Sequence, residues 1–387
     1  MASLNAGVFG PGEGSHGTGR APRRVYLDDA GAAPILPEVT AALDGLAPAN
    51  PSSLHAEGRA ARALLDQARD GVAAELGADR SEITFTSSGT EAVNLALFGV
   101  ARRFTTRSKI VTWSAEHQAV LGAARRLQAD GHEVTIGAVD GGARSDPDAI
   151  KPGTALVSIG LANNEVGTIQ PVEEIVNRAH DVGALVHLDA CSGPRWIRIP
   201  TGADLVSISG HKLGAGRGGV LYVRSGVRID PLLHGGPQEW GRRAGHEDVA
   251  GAVAVAIALQ VCGELRDERA QRVAQHSAKL RGMLAECGGT LTGDEHRLPN
   301  FASATFAGKR GEDMLMALDL AGVAASSGSA CASGSLDPSH VLLAMGLGLD
   351  EALGSLRLTT GYATTDEDVE TAARIIASVL AGAAARA

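Results

Sequence analysis

The chain has 387 residues and a net charge of −9 at neutral pH. That length buries a large core, and the acidic balance argues against a general nucleic-acid surface. Its four cysteines, Cys191, Cys262, Cys287 and Cys331, form no CxxC pair and no zinc spacing, so neither a disulfide framework nor a metal site is expected. The apolar stretches read as too short, and too broken by glycine and charge, to span a bilayer.

Residues 1–24 are Gly-rich, lack the apolar centre of a signal peptide, and read as a disordered tail. Beyond them, helical and strand-like stretches alternate. Ala56–Leu76 has the Ala/Arg/Leu pattern of a helix, and Ile83–Thr86 reads as a strand. Thr90–Arg103 is a predicted helix and Lys109–Thr112 a strand. Val120–Ala129 and Val172–Val182 read as helices, with a strand at Ala155–Ile159 between them. Ala184–Ala190, Ala203–Ile208 and Val220–Val223 are further strands. From Glu247 to Cys287 a long, mostly helical run leads into a smaller C-terminal unit. The alternation means an α/β fold with a mostly parallel sheet.

Three sites in this pattern carry chemistry. Cys331 lies in Ser326-Ser327-Gly328-Ser329-Ala330-Cys331-Ala332-Ser333-Gly334, a run too rich in Ser and Gly for a stable helix. A lone Cys is usually a small buried hydrophobe. A loop of this composition instead carries a thiol to and from a reacting centre. Lys212, in Ser209-Gly210-His211-Lys212, follows a buried strand, where an ammonium is costly unless it has a use. A Schiff-base lysine is that use. Asp189 ends the neighbouring strand and suits a pyridinium nitrogen. Ser87-Ser88-Gly89-Thr90-Glu91 joins a strand to a helix, where free backbone N–H groups bind anions and also accept an ordinary Ser/Thr cap. Gly214-Ala215-Gly216-Arg217-Gly218-Gly219 fits GxGxxG but follows Lys212 and precedes a strand. It therefore reads as a flexible turn and not as a dinucleotide site.

Together these segments resemble the cysteine desulfurases, pyridoxal 5′-phosphate (PLP) enzymes of the class-V aminotransferase group with fold type I. The likeness runs from about Val25 to Val369. It includes Asn50-Pro51-Ser52-Ser53-Leu54-His55, Glu116-His117-Gln118, Asn163-Asn164-Glu165-Val166-Gly167-Thr168, Gly235-Gly236-Pro237-Gln238-Glu239, Arg242-Arg243-Ala244-Gly245 and Ser355-Leu356-Arg357-Leu358. The Cys331 segment is similar to the subgroup with the longer, mobile loop.

The resemblance implies a large PLP-binding domain over 36–265 with a seven-stranded, mostly parallel sheet. A smaller α+β domain over 25–35 and 266–387 would carry the Cys loop. It implies a homodimer in the cytoplasm, with no membrane and no nucleic-acid partner. L-Cysteine would become L-alanine, with the sulfur passing to Cys331 as a persulfide and then to an acceptor protein. Cys331, Lys212 and His117 are the implied catalytic residues. Gly89, Thr90, His117, Asn164, Asp189, Ser209, His211 and Lys212 would hold PLP, and Asn164 with Arg357 the substrate carboxylate. No metal is implied.

Some positions depart from the family. Ser192 stands where a Gln usually touches the PLP hydroxyl. His246 stands where a Thr usually reaches the partner's phosphate. Asp29-Ala30-Gly31-Ala32-Ala33-Pro34 replaces an Asn-Ala-Thr-Thr-Pro run. Members feeding a general iron–sulfur scaffold often carry a longer C-terminal tail, so the resemblance leaves room for a dedicated sulfur pathway. A selenocysteine lyase would share most of the site, an aminotransferase would not need Cys331, and a sulfur-relay protein would keep the fold with weak chemistry.

Overall fold

The computed structural model describes residues 24–47, 49–104, 108–328 and 337–384. The predicted tail, apart from Arg24, lies outside them, and so does Cys331. In chain order, strand β1 (Val25–Tyr26) precedes helices α1 (Pro37–Leu43) and α2 (Ala56–Leu76), strand β2 (Ile83–Thr86) and helix α3 (Gly89–Ala101). Next come β3 (Lys109–Trp113), α4 (Gln118–Ala129), β4 (Glu133–Gly137), β5 (Thr154–Gly160), α5 (Val172–Asp181) and β6 (Leu185–Asp189). β7 (Leu205–Ser209), the short α6 (Gly210–Leu213), β8 (Gly219–Val223) and the long α7 (Val249–Glu286) follow. The last part holds β9 (Thr290–Leu291), β10 (Phe301–Thr305), α8 (Gly311–Leu320), β11 (Val323–Ala324), α9 (His340–Ala344), α10 (Leu349–Leu353), β12 (Ser355–Thr359) and α11 (Asp366–Ala384).

Seven strands form one sheet in the order β2-β8-β7-β6-β5-β3-β4. Only β8 runs against its neighbours; the rest share one direction. Every residue of β2, β7 and the last four of β6 is buried. Strands covered on both faces read as continuous apolar runs, which is why they were legible. β4 was missed because it is the edge strand and mostly exposed, so no clean period marks it.

The helix ends follow local chemistry. Ser88 caps α3 by accepting the Glu91 N–H at 3.2 Å, and Gly77 closes α2 in the left-handed region at φ 63°. α2 and the first half of α7 cover the sheet through Leu65, Val72, Val255 and Leu259.

β10 pairs antiparallel with β9 and β12, and β1 pairs with β11. A separate core joins these strands to Leu280 and Leu284 at the far end of α7 and to Ile376 of α11. α7 thus contributes to both cores. By length and composition it is also apolar enough to cross a membrane, contrary to the sequence reading. Half of its apolar window is buried inside the protein, as in a core helix.

Candidate active site

In an open α/β sheet the crevice at the carboxyl ends of the strands is the natural binding place. Here the ends of β2, β5, β6 and β7 open onto a cavity of about 350 Å³. Gly89, Thr90, His117, Asn164, Asp189, Ser192, Ser209, His211, Lys212 and Arg357 all line it. Residues up to 329 positions apart in the chain therefore meet around one space, from Asp28 to Arg357.

One wall is made by strand-to-helix turns. Ser87 and Ser88 lead from β2 into α3, so the first turn of that helix presents free N–H groups beside Gly89 and Thr90. Gly89 is required by space: a Cβ there would strike the Cys191 thiol and come within 2.8 Å of Ser209 Cβ. Ser209 Oγ and His211 Nδ1 lie 2.8 Å apart. Burial and the neighbouring Lys212 ammonium push the His211 imidazole down to about 4, so it is neutral at physiological pH. This set of hydroxyls, imidazole and helix N–H groups matches a phosphate.

Lys212 sits on α6, three residues past the end of β7, and not on the strand itself. Its Nζ donates to Ser192 Oγ at 3.1 Å. The GxGxxG run is the turn that follows: Gly214, Gly216 and Gly218 all have positive φ, and the chain passes directly into β8. Asp189 ends β6 with 6% exposure, and its Oδ1 accepts the Cys191 N–H at 3.0 Å. A buried carboxylate in this cavity suits a cationic ring nitrogen.

His117 caps α4: its Nδ1 accepts the Ala119 N–H at 3.0 Å. Burial lowers its pKa, with Asp189 opposing and Lys212 and His340 adding to the fall. A neutral imidazole held this way carries its proton on Nε2. His117 is therefore set up to donate at Nε2, which does not favour it as the base for a thiol.

The opposite wall comes from far along the chain. Arg357 on β12 is 3% exposed; its Nη1 donates to the Asn164 carbonyl and its Nη2 to Asp28 Oδ1, both at 2.8 Å. Its Nε is buried and has no hydrogen-bond partner among the described residues. The Asn163 side chain braces this turn, accepting from the Glu165 and Val166 N–H groups at 2.8 and 3.0 Å.

Cys191, the rival thiol, lies in the cavity, where burial and Asp189 raise its pKa well above the usual thiol range. A thiolate is the nucleophile, so these surroundings disfavour the reactive form of Cys191. His246 is exposed and outside the cavity. Its segment is tied to α3 by Arg243 Nε, which bonds Glu91 Oε1 at 3.0 Å.

Three acidic residues escaped the sequence reading. Glu116 lines the cavity, accepts the Gly160 N–H at 3.0 Å, and is pushed up to about 8 by burial. Asp28 orients Arg357. Glu165 is pushed up to about 7 by burial, and Ser339 Oγ donates to it. Glu116 and Glu165 lie in the segments Glu116-His117 and Asn163 to Thr168, the available signals, but nothing local marks a buried carboxyl.

Comparison with known proteins fits this geometry. The chain belongs to the class-V aminotransferase family, whose pattern matches residues 25–371. A cysteine desulfurase of Gluconacetobacter diazotrophicus is 41% identical over 376 residues, covering 92% of this chain and 93% of that protein. A solved NifS-like protein superposes with a TM-score of 0.87 and 33% identity, covering 93% of this chain and all of that one. SspA, solved in complex with cysteine, has a TM-score of 0.78 and 30% identity, covering 88% and 100%. Within the family this chain falls among the cysteine desulfurases, PLP-dependent sulfurtransferases.

Proposed function

We propose that the cavity binds PLP and free L-cysteine, and that the substrate's sulfur is transferred to Cys331. The observation carrying this reading is the convergence on one space of a phosphate cradle, a lysine, a buried carboxylate and a buried arginine. Gly89, Thr90, Ser209 and His211 would hold the phosphate, Asp189 the ring nitrogen, and Lys212 the aldehyde carbon. His117, Asn164 and Ser192 would lie along the ring. When bound, PLP supplies an electron sink for the substrate's α-carbon.

The chain's own residues do the rest. Arg357 and Asn164 fix the substrate carboxylate. Lys212 Nζ would take the substrate's α-proton. Cys331 gains the sulfur: its thiol and L-cysteine become a persulfide and L-alanine, with one C–S bond broken and one S–S bond formed. No outside oxidant or reductant enters. A thiol acceptor then takes the outer sulfur.

The unit over 36–265 would bind PLP, and 25–35 with 266–387 would form the smaller unit. His246, exposed and held beside α3, fits donation to a second copy's phosphate in a homodimer. The reducing cytoplasm suits a free catalytic thiol.

Mass spectrometry after L-cysteine treatment tests the transfer. The expected result is 32 Da of added sulfur, roughly one atom, on the peptide containing Cys331, and none in Cys331→Ser. Sulfur on Cys191, or undiminished alanine release by Cys331→Ser, overturns the reading.

A further inference from the structure

A second, smaller cavity lies behind Lys212. Its volume is about 20 Å³, room for one water. Ala30, Cys191, Ser192 and Lys212 line both cavities and so form the partition between them. Beyond that partition stand Asp29, Arg195 and Asn300, which are 2%, 5% and 1% exposed.

Each of these three side chains has a polar atom that is hydrogen-bonded and another that is not. Arg195 Nη1 donates to Asp29 Oδ2 at 2.5 Å, and Asn300 Nδ2 to the Thr360 carbonyl at 3.3 Å. Asp29 Oδ1, Arg195 Nη2 and Asn300 Oδ1 are buried and have no hydrogen-bond partner among the described residues. Native proteins rarely leave such atoms unmatched, because each costs about 1–3 kcal/mol. Two acceptors and one donor are the complement of a water that gives both hydrogens and accepts one. A cation would face the Arg195 guanidinium, and an anion would face the Asp29 carboxylate. Gly361 helps admit Asp29, since a Cβ there would overlap Oδ1.

We propose that this cavity binds one ordered water, held by Asp29, Arg195 and Asn300, and that Asp29 acts through it as a positioning residue for Lys212. Ser192 completes the line. Its hydroxyl accepts from Lys212 Nζ at 3.1 Å, and Ser192 also lines the rear cavity. The inference rests on Lys212 being the residue that carries PLP.

The groups that act on Asp29 are Arg195 and Asp28, and Tyr26 and Tyr362 feel its charge in turn. On the other side of the partition, the Lys212 charge acts on His117, His211, Cys191 and Glu165, and Asp189 acts on His117 and Cys191. Burial raises Asp29 to about 6 against the pull of Arg195, so it is mostly ionised at neutral pH. Through the water and Ser192, the Asp29 carboxylate would bias the Lys212 nitrogen toward holding a proton. Ser192, short where the family has a longer amide, leaves the line open.

Two readouts test this on the PLP-loaded enzyme. A high-resolution crystal structure should show a water peak within hydrogen-bond distance of Asp29 Oδ1, Arg195 Nη2 and Asn300 Oδ1. Its absence overturns the site. The pH midpoint of the near-visible absorbance should fall by about half a unit to one unit in Asp29→Asn, as expected for a charge acting at this range. Asn300→Leu, which fills the cavity and leaves Asp29 in place, should lose the water and shift the midpoint the same way by less. A peak in the wild type with unmoved midpoints in both variants overturns the positioning role. Lys212→Ala separates the two claims: it should keep the water and lose the absorbance. If the absorbance persists there, the assignment of Lys212 fails while the water site stands.

Discussion

The two walls of the active-site cavity are built by different means. The wall of Gly89, Asp189, Ser209, His211 and Lys212 comes from strand ends and the turns just after them. Each residue sits within three positions of a strand or helix end. The opposite wall, Arg357 with Asn164 and Asp28, is held by hydrogen bonds between residues 193 and 329 positions apart. The local wall is set by strand pairing and helix capping. The distant wall exists only when β12 and the segment after β1 dock against the turn at Asn163. Damage to the first should therefore cost cofactor, and damage to the second should cost substrate affinity.

Lys212→Ala breaks the local wall most completely. It should abolish the borohydride-sensitive near-visible absorbance and all alanine release, measured on extensively dialysed protein. A variant retaining that absorbance sinks the assignment.

Arg357→Lys breaks the distant wall. Losing a planar donor to a carboxylate should raise KM for L-cysteine about 10- to 100-fold. The cofactor absorbance should stay in place. Asp28→Asn should follow in the same direction by a smaller factor, because it loosens Arg357 without removing it. Cofactor loss in either variant, seen by absorbance after dialysis, would erase the distinction between the walls.

Gly89→Ala returns to the local wall. Its Cβ would meet the Cys191 thiol, so PLP retention should fall about 5- to 10-fold, near the low end of the roughly 1–3 kcal/mol that overpacking costs. Gly89→Ala/Cys191→Ala should recover part of that loss. No recovery would mean that the helix N–H groups, and not the crowding, set the effect.

The smallest effect concerns pH. Burial holds the Glu116 carboxyl at about 8, far above its unfolded value. The folded state thus binds the extra proton, and stability from this group is full below about pH 4. It is lost as pH rises toward 8. Glu116→Gln keeps an acceptor for the Gly160 N–H and removes the titration. Its thermal midpoint at pH 8 should exceed that of the native protein, with little difference at pH 5. His187, held by burial at about 4, works the other way and loses stability as pH falls from about 6.5 to 4.

The same contrast explains what could be read from sequence. The predicted helix at Ala56–Leu76 and strand at Ile83–Thr86 coincide with α2 and β2 to the residue. The helices predicted from Thr90, Val120 and Val172 match α3, α4 and α5 within two residues at each end. Apolar period and caps are local signals. β9 and β11, of two residues each, are too short to carry a period. Lys212 was expected at a strand end and lies on a short helical turn beyond it, because Gly210 and Gly214 let the chain coil before β8. Glu116, Glu165 and the Asp29–Arg195 pair were missed for another reason. Their burial is created by segments far away in sequence, and a carboxylate looks alike whether solvated or enclosed. Cys331 lies outside the described residues, so its assignment rests on sequence alone.

The central claim is that this cavity desulfurises free L-cysteine. The most direct test is to incubate purified, PLP-loaded enzyme with L-cysteine and a thiol reductant and to measure alanine and sulfide together. The account predicts equal amounts of both, and neither from Lys212→Ala. Pyruvate in place of alanine, or turnover confined to selenocysteine, would contradict it.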